Sequence, residues 1–169
     1  MAATHEWKVQ YGTSPGTEYP SSGSAGNCNY MSIDDADETG TEYQSNPVSV
    51  PSSGTNYSYE RWMRAKFSGT FNQIDNMKIW HDAGTLSDAN LNLKAGVGTT
   101  YATPVNTASS VATTTLTGWD TEGEALNITN VLTAAGYSKY LVQQLVVPST
   151  VTTPGDIGSQ TIKMRYDEQ

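Results

Sequence analysis

The stretch DDADETG, Asp34 to Gly40, is the one segment whose residue types and spacing suggest a metal site. Asp35, Asp37 and Thr39 stand at alternating positions ahead of Gly40, so three hard oxygen donors could converge on one Ca²⁺. The twelfth position from Asp35 is Asn46 and not a bidentate Glu, which breaks the EF-hand pattern. A solvated acidic loop is the competing reading. Asp35, Asp37 and Thr39 are therefore a calcium candidate only, and no cofactor is expected. A second acidic group, GWDTEGEA, sets Asp120, Glu122 and Glu124 beside Trp119. Paired carboxylates near an aromatic ring can hydrolyse a glycosidic bond, but carboxylates two apart in a loop are common and no second cluster accompanies these. His5 and His81 lack zinc spacing. There is no nucleophile elbow, P-loop or dinucleotide fingerprint. The chain is not expected to be an enzyme.

Binding chemistry is better represented. YSYERWMRAKFSG, residues 57–69, carries two of the three arginines and a lysine around a tryptophan, in a chain whose formal net charge is -8. Eight of the nine Lys and Arg residues fall in expected strands: Lys8, Arg61, Arg64, Lys66, Lys78, Lys94, Lys163 and Arg165. Alternation puts all but Arg61 opposite the apolar face. Asp34, Asp35, Asp37, Glu38, Glu42, Asp82, Asp88, Asp120, Glu122, Glu124 and Asp156 read as loop residues. The expectation is one outer sheet face, positive and partly aromatic, with negative loops around it. Trp62, Arg64, Lys66, Lys78 and Trp80 are the expected protein-docking residues, since aromatic residues and Arg are enriched at the centre of interfaces. The bland alternative is a wet sheet face on which Lys and Arg discourage edge-to-edge aggregation. Nucleic acid is not an expected partner, because the overall charge is repulsive and no dense basic stripe exists.

These side chains need strands to hold them. Period-two alternation runs through WKVQY, ERWMRAKF, NMKIW, NLNLKAGV and QTIKMRYDE, while YLVQQLVV is continuously apolar enough for a strand covered on both faces. Turn-rich segments such as PSSGSAGN and STVTTPGDIG separate the runs. NVLTAAGY fits either one helical turn, capped by Asn130 and stopped by Gly136, or a loop. The 169 residues suit a single all-β domain, an antiparallel, jelly-roll-like β-sandwich with long polar loops and at most one short helix. Residues 14–55, rich in Gly, Ser and Pro, read as a polar arm or surface region.

Composition agrees. Ser and Thr make up about a quarter of the chain, charged residues 15%, and ten tyrosines and four tryptophans argue against disorder. The single Cys28 rules out an internal disulfide framework. MAATHEWKVQY has neither the basic start nor the apolar core of a secretory signal. No run approaches the ~20 apolar residues of a membrane helix, so no membrane association is expected.

The phrases NYSYERWMRAKFSGTFNQIDNMKIW and GDIGSQTIKMRYDE resemble small virion structural proteins of tailed bacteriophages. The resemblance implies a head decoration (cement) or minor capsid protein, made in the host bacterial cytoplasm and carried on the virion. It implies contacts with the major capsid protein or other virion proteins, and a homo-oligomer, with a trimer as the guess. It carries no site residues. The alternative is a carbohydrate-binding β-sandwich module, with Trp62, Trp80, Trp119 and the tyrosines as stacking faces and Asn and Asp as hydrogen-bond partners, or a phage tail or fibre adhesin.

Overall fold

The computed structural model describes residues 3–20, 31–35, 45–155 and 157–169. Ten strands account for nearly all the regular structure: β1 Thr4–Tyr11, β2 Thr17–Tyr19, β3 Thr55–Tyr57, β4 Arg61–Ser68, β5 Ile74–Ala83, β6 Asn92–Gly98, β7 Leu126–Asn127, β8 Gly136–Tyr137, β9 Tyr140–Pro148 and β10 Thr161–Glu168. Two single 3₁₀ turns, Leu116–Gly118 and Glu122–Glu124, lie between β6 and β7. All six expected runs are strands. NVLTAAGY is not a helical turn; it is a loop that ends in β8.

Every strand pairing is antiparallel, and the strands form two sheets. In the large sheet β2, β1, β4, β9 and β6 lie side by side. The short β3 continues the line of β4 along β9, and β8 continues the line of β9 along β4. The small sheet is β10–β5–β7. The chain pairs β6 with β9 and, outside them, β5 with β10, a nesting of the jelly-roll kind.

The main core lies between the sheets, where side chains two apart meet from both sides. Val9 of β1, Met63, Ala65 and Phe67 of β4, Leu93 and Ala95 of β6 and Leu141 of β9 pack with Met77 and Ile79 of β5. Trp119 and Ile128, both fully buried, close it from the connecting segments. Residues 140–145 of β9 are all buried, as a strand covered on both faces requires.

That second cover is the surprise of the fold. The outer face of the large sheet is roofed by the segment after β6. Trp62 lies there at 1% exposure, with Tyr101, Ala112, Tyr140 and Val142 around it. Its indole meets the rings of Tyr101 and Tyr140 edge-on, each at 5.5 Å between centroids, a geometry worth about 0.5–1.5 kcal/mol per pair beyond the buried area. The ring fits only because β6 carries glycine opposite it. A Cβ on Gly98 would stand 2.4 Å from Trp62 Cζ3, and one on Gly96 would stand 1.9 Å from the Val111 carbonyl oxygen. Gly98→Ala should lower stability by about 1–3 kcal/mol, the usual cost of overpacking a rigid ring. Chemical denaturation followed by tryptophan fluorescence measures it, and an unchanged midpoint would contradict the packing.

Candidate functional site

The five residues expected to form one docking face do not share one. Trp62, Arg64 and Lys66 alternate with core residues of β4 and therefore face outward from the large sheet, whereas Lys78 and Trp80 face outward from the small sheet. In a sandwich these are opposite sides of the molecule. Trp62 is buried outright. The sequence pattern was right about alternation, but alternation cannot show which two strands share a sheet.

On the large-sheet side most of the positive charge is spent inside the fold, while Lys66 and Lys94 stay partly exposed with no ion pair among the described residues. Arg61, 3% exposed, donates from Nη1 to the Asp35 carbonyl at 2.8 Å and from Nη2 to Ser32 Oγ at 2.8 Å and to the Asp34 carbonyl. It thereby ties residues 32–35 to the end of the sheet. Arg64 reaches Glu18 Oε2 at 2.8 Å and lies over the rings of Tyr137, at 3.8 Å, and Tyr140, at 4.7 Å. Tyr137 donates its hydroxyl to the other oxygen of Glu18 at 3.1 Å. Lys8, 1% exposed, donates to the Pro20 carbonyl at 2.9 Å and pairs with Glu6 at 3.1 Å. Arg61, Arg64 and Lys8 are thus each a fastener between a strand and a neighbouring segment.

Buried acceptors do the same for the roof. Glu60, 4% exposed, accepts the Trp62 indole N–H at 3.0 Å and the Ser109 hydroxyl. Gln144, fully buried on β9, donates to the carbonyls of Ser58 and Thr107 and accepts the Ser109 N–H at 3.0 Å. Tyr101 donates to the Gly12 carbonyl at 2.6 Å, and burial, reinforced by the nearby Asp35 carboxylate, pushes its phenol above the ordinary range.

The calcium candidate is only partly visible. Asp37 and Thr39 lie outside the described residues. Asp35 turns Oδ2 to the Gly12 N–H at 2.8 Å, and burial raises its carboxyl pKa against the opposing pull of that hydrogen bond and of Arg61. Among the described residues no group of three His, Cys, Asp or Glu side chains could hold a metal. In the other acidic group, Glu122 pairs with Arg165, and Trp119 is fully buried.

The expectation of acids in loops needs correction too. Asp82 lies in β5, and strands also carry Glu6, Glu18, Asp75, Asp167 and Glu168. Asp88, 7% exposed, is a true loop acid and a structural one. It accepts the N–H groups of Asn90, Thr152 and Thr153 at 2.8–2.9 Å and joins the loops on either side of β6 and β9.

The surviving surface is the outer face of the small sheet. Lys163 stands directly across from Trp80, and Arg165 directly across from Lys78. Asn127 of β7 flanks Lys78 on the other side. Two acids reach in: Asp82 pairs with Lys163 at 2.9 Å and Glu122 with Arg165. Lys78 has no carboxylate within ion-pair distance among the described residues. Trp80 is partly exposed, while Trp62 and Trp119 are buried, so Trp80 alone of the three candidate stacking tryptophans has an accessible part. Sequence reasoning placed Lys163 and Arg165 on strands but missed their partnership with Trp80. The β5–β10 pairing that creates it joins residues 83 positions apart, Trp80 and Lys163.

No family model, curated protein or solved structure matches this chain. The likeness to virion proteins rests on the sequence phrases alone.

Asp88 yields a pH prediction. Its three backbone hydrogen bonds, to Asn90, Thr152 and Thr153, hold the folded carboxyl well below the usual range. Its contribution to stability is therefore complete above the unfolded value of about 4 and is lost as pH falls through the lower, folded value. Asp88→Asn should lower the thermal midpoint at neutral pH, and the gap to the parent should narrow as pH falls below about 4. A gap that stays constant or widens in acid would contradict the linkage.

Proposed function

We propose that the protein is a non-enzymatic virion structural protein of the head-decoration type, which attaches to the outer capsid surface and stabilises it. The small sheet's outer face is the docking surface in this reading, and Trp80, Lys78, Lys163 and Arg165 are its contact residues. The observation that carries it is the cross-strand placement of Lys78 against Arg165. Like charges directly opposite on an antiparallel pair cost stability, and a carboxylate brought by a partner would relieve that cost while covering Trp80. The ion pairs already present are exposed: side-chain accessibilities are 56% and 29% for Lys163 and Asp82, and 46% and 50% for Arg165 and Glu122. Such pairs are worth about 0–1 kcal/mol and can be exchanged for intermolecular ones. Support also comes from where the other polar groups go. Glu60, Arg61, Asp88 and Gln144 are committed to holding segments in place, as a scaffold requires.

A carbohydrate-binding module or fibre adhesin is the second reading, and Trp80, flanked by Lys163 and Lys78, is the observation that favours it. A saturable glycan-array signal abolished by Trp80→Ala would select it over the first.

For capsid attachment, the test is occupancy on shells assembled without the protein. Occupancy should fall as ionic strength rises from about 0.05 to 0.5 M, because screening weakens exposed charge pairs. The double variant Lys78→Glu/Lys163→Glu should bind at least about tenfold more weakly, a loss of about 1.4 kcal/mol. Binding indifferent to both salt and charge reversal would remove this face from consideration.

A further inference from the structure

A second surface has the opposite character. β3, Thr55–Tyr57, pairs with β9 on one side only. Ser58 N–H bonds the Leu145 carbonyl and the Gly54 carbonyl accepts Ser149 N–H, so even-numbered backbone groups point at β9 and those of Thr55 and Tyr57 point away. Among the described residues nothing pairs with that outward edge until Tyr59, whose N–H meets the Ser32 carbonyl at 2.9 Å. The edge opens into a cleft of about 380 Å³ lined by Ile33, Tyr57, Asn106 and Thr107 among others, and none of its described lining residues is charged.

Most of the exposed large apolar side chains lie in or next to the segments lining this cleft; Val131, the most exposed at 59%, does not. Four large apolar side chains are exposed among the described residues. Ile33, at 49%, lines the cleft, while Val105 and Val50, at 38% and 37%, adjoin the lining residues Asn106 and Ser49.

We infer that this edge and cleft are a self-association surface, on which β3 of one chain pairs antiparallel with β3 of a second copy about a two-fold axis. Charge decides the occupant. Two copies of a chain with net charge -8 repel wherever their acidic surfaces meet, and an uncharged patch is where they can approach without that cost. The strand edge is also self-complementary. With Asn56 at the axis, Thr55 faces the partner's Tyr57 and Tyr57 faces the partner's Thr55, so the outward donors and acceptors of both chains pair. A two-fold contact needs the same patch on both subunits, which an open strand edge provides. Three residues of strand are too few to hold a dimer alone. The rim of Ile33, Val50 and Val105 supplies apolar area that exposed single side chains on a monomer would not need to concentrate.

The inference is independent of the proposed capsid attachment, and salt separates them. Sedimentation velocity of the full chain between about 1 and 100 µM should show a monomer–dimer equilibrium that salt leaves unchanged or strengthens, since screening reduces the repulsion between like-charged subunits. Ile33→Lys/Val105→Lys should weaken the dimer at least about tenfold, whereas Lys163→Glu should leave it alone. Both substituted positions are exposed, and circular dichroism with an unchanged unfolding midpoint would confirm the fold. Hydrogen exchange gives a second readout: the amides of Thr55 and Tyr57 should become more protected as concentration rises. A monomer throughout the range, a dimer dispersed by salt, or a dimer indifferent to the double lysine variant with Thr55 and Tyr57 unprotected would each overturn the inference.

Discussion

A tryptophan on the wrong side of a sheet governs the architecture. Trp62 points away from the inter-sheet core, and an indole in that position has either to stay wet or to acquire a roof. Here it acquires one. The requirement then spreads along the chain. β6 needs glycine at 98 so that the ring can lie across it, and glycine at 96 so that the Val111 segment can approach. The indole N–H needs an acceptor, and Glu60 supplies it while taking the Ser109 hydroxyl with its other oxygen. Ser109 Oγ in turn receives the N–H groups of Val111 and Ala112 at 3.0 and 2.7 Å. The backbone of the roof is therefore satisfied partly within itself, through Ser109, and partly by Gln144 of β9, which accepts the Ser109 N–H and donates to the Thr107 carbonyl, as a buried loop requires.

The same logic explains why an acidic chain gathers cations around this tryptophan. Segments laid over a sheet bring carbonyl groups out of water, and a carbonyl without a donor is costly. Guanidinium is the side chain with the most donors in a fixed fork. Arg61 meets two carbonyls and a hydroxyl of residues 32–35, and Lys8 meets the Pro20 carbonyl. Arg64 instead closes an ion pair under two tyrosine rings, where cation–π contact adds to the charge pairing. Lys8 and Arg64, which read in sequence as surface charge, act with Arg61 as internal fasteners.

How far the sequence could be read follows from this. The six long strands were legible because burial imprints period two on a half-covered strand and a continuous apolar run on β9, and the structure keeps the first from Met63 to Ser68 of β4 and along β10 and the second in β9. The two- and three-residue strands β2, β3, β7 and β8 were not, since three residues carry too little period to register. The docking set went astray on a fact that alternation cannot encode. A polar or aromatic residue opposite the apolar face reads as solvent-facing, yet Trp62 and Lys8 occupy such positions and are buried, because another segment lies over each. One signal was available in the glycines of NLNLKAGVG. Gly96 and Gly98, two apart in a strand, mark a face approached closely by something else.

Roofing one face also determines what the molecule can offer to others. With much of the large sheet's outer side occupied, the surfaces of regular structure still on offer include the small sheet's outer face and the outward edge of β3. These obey different physics. On the small sheet, Lys78, Lys163 and Arg165 stand on neighbouring strands and are held apart by Asp82 and Glu122, so any approach there is governed by charge and is weakened by salt. At β3 the groups on offer are backbone donors and acceptors beside Ile33 and Val105, with no charge among the described lining, so an approach there depends on direct hydrogen bonding and apolar burial. An edge of three residues that ends at Gly54, where φ is +75°, is short enough to stay soluble yet open enough to pair when a matching edge is presented. Because the two surfaces respond to salt in opposite directions, the behaviour of the whole molecule at a given ionic strength reports which of them carries the contact.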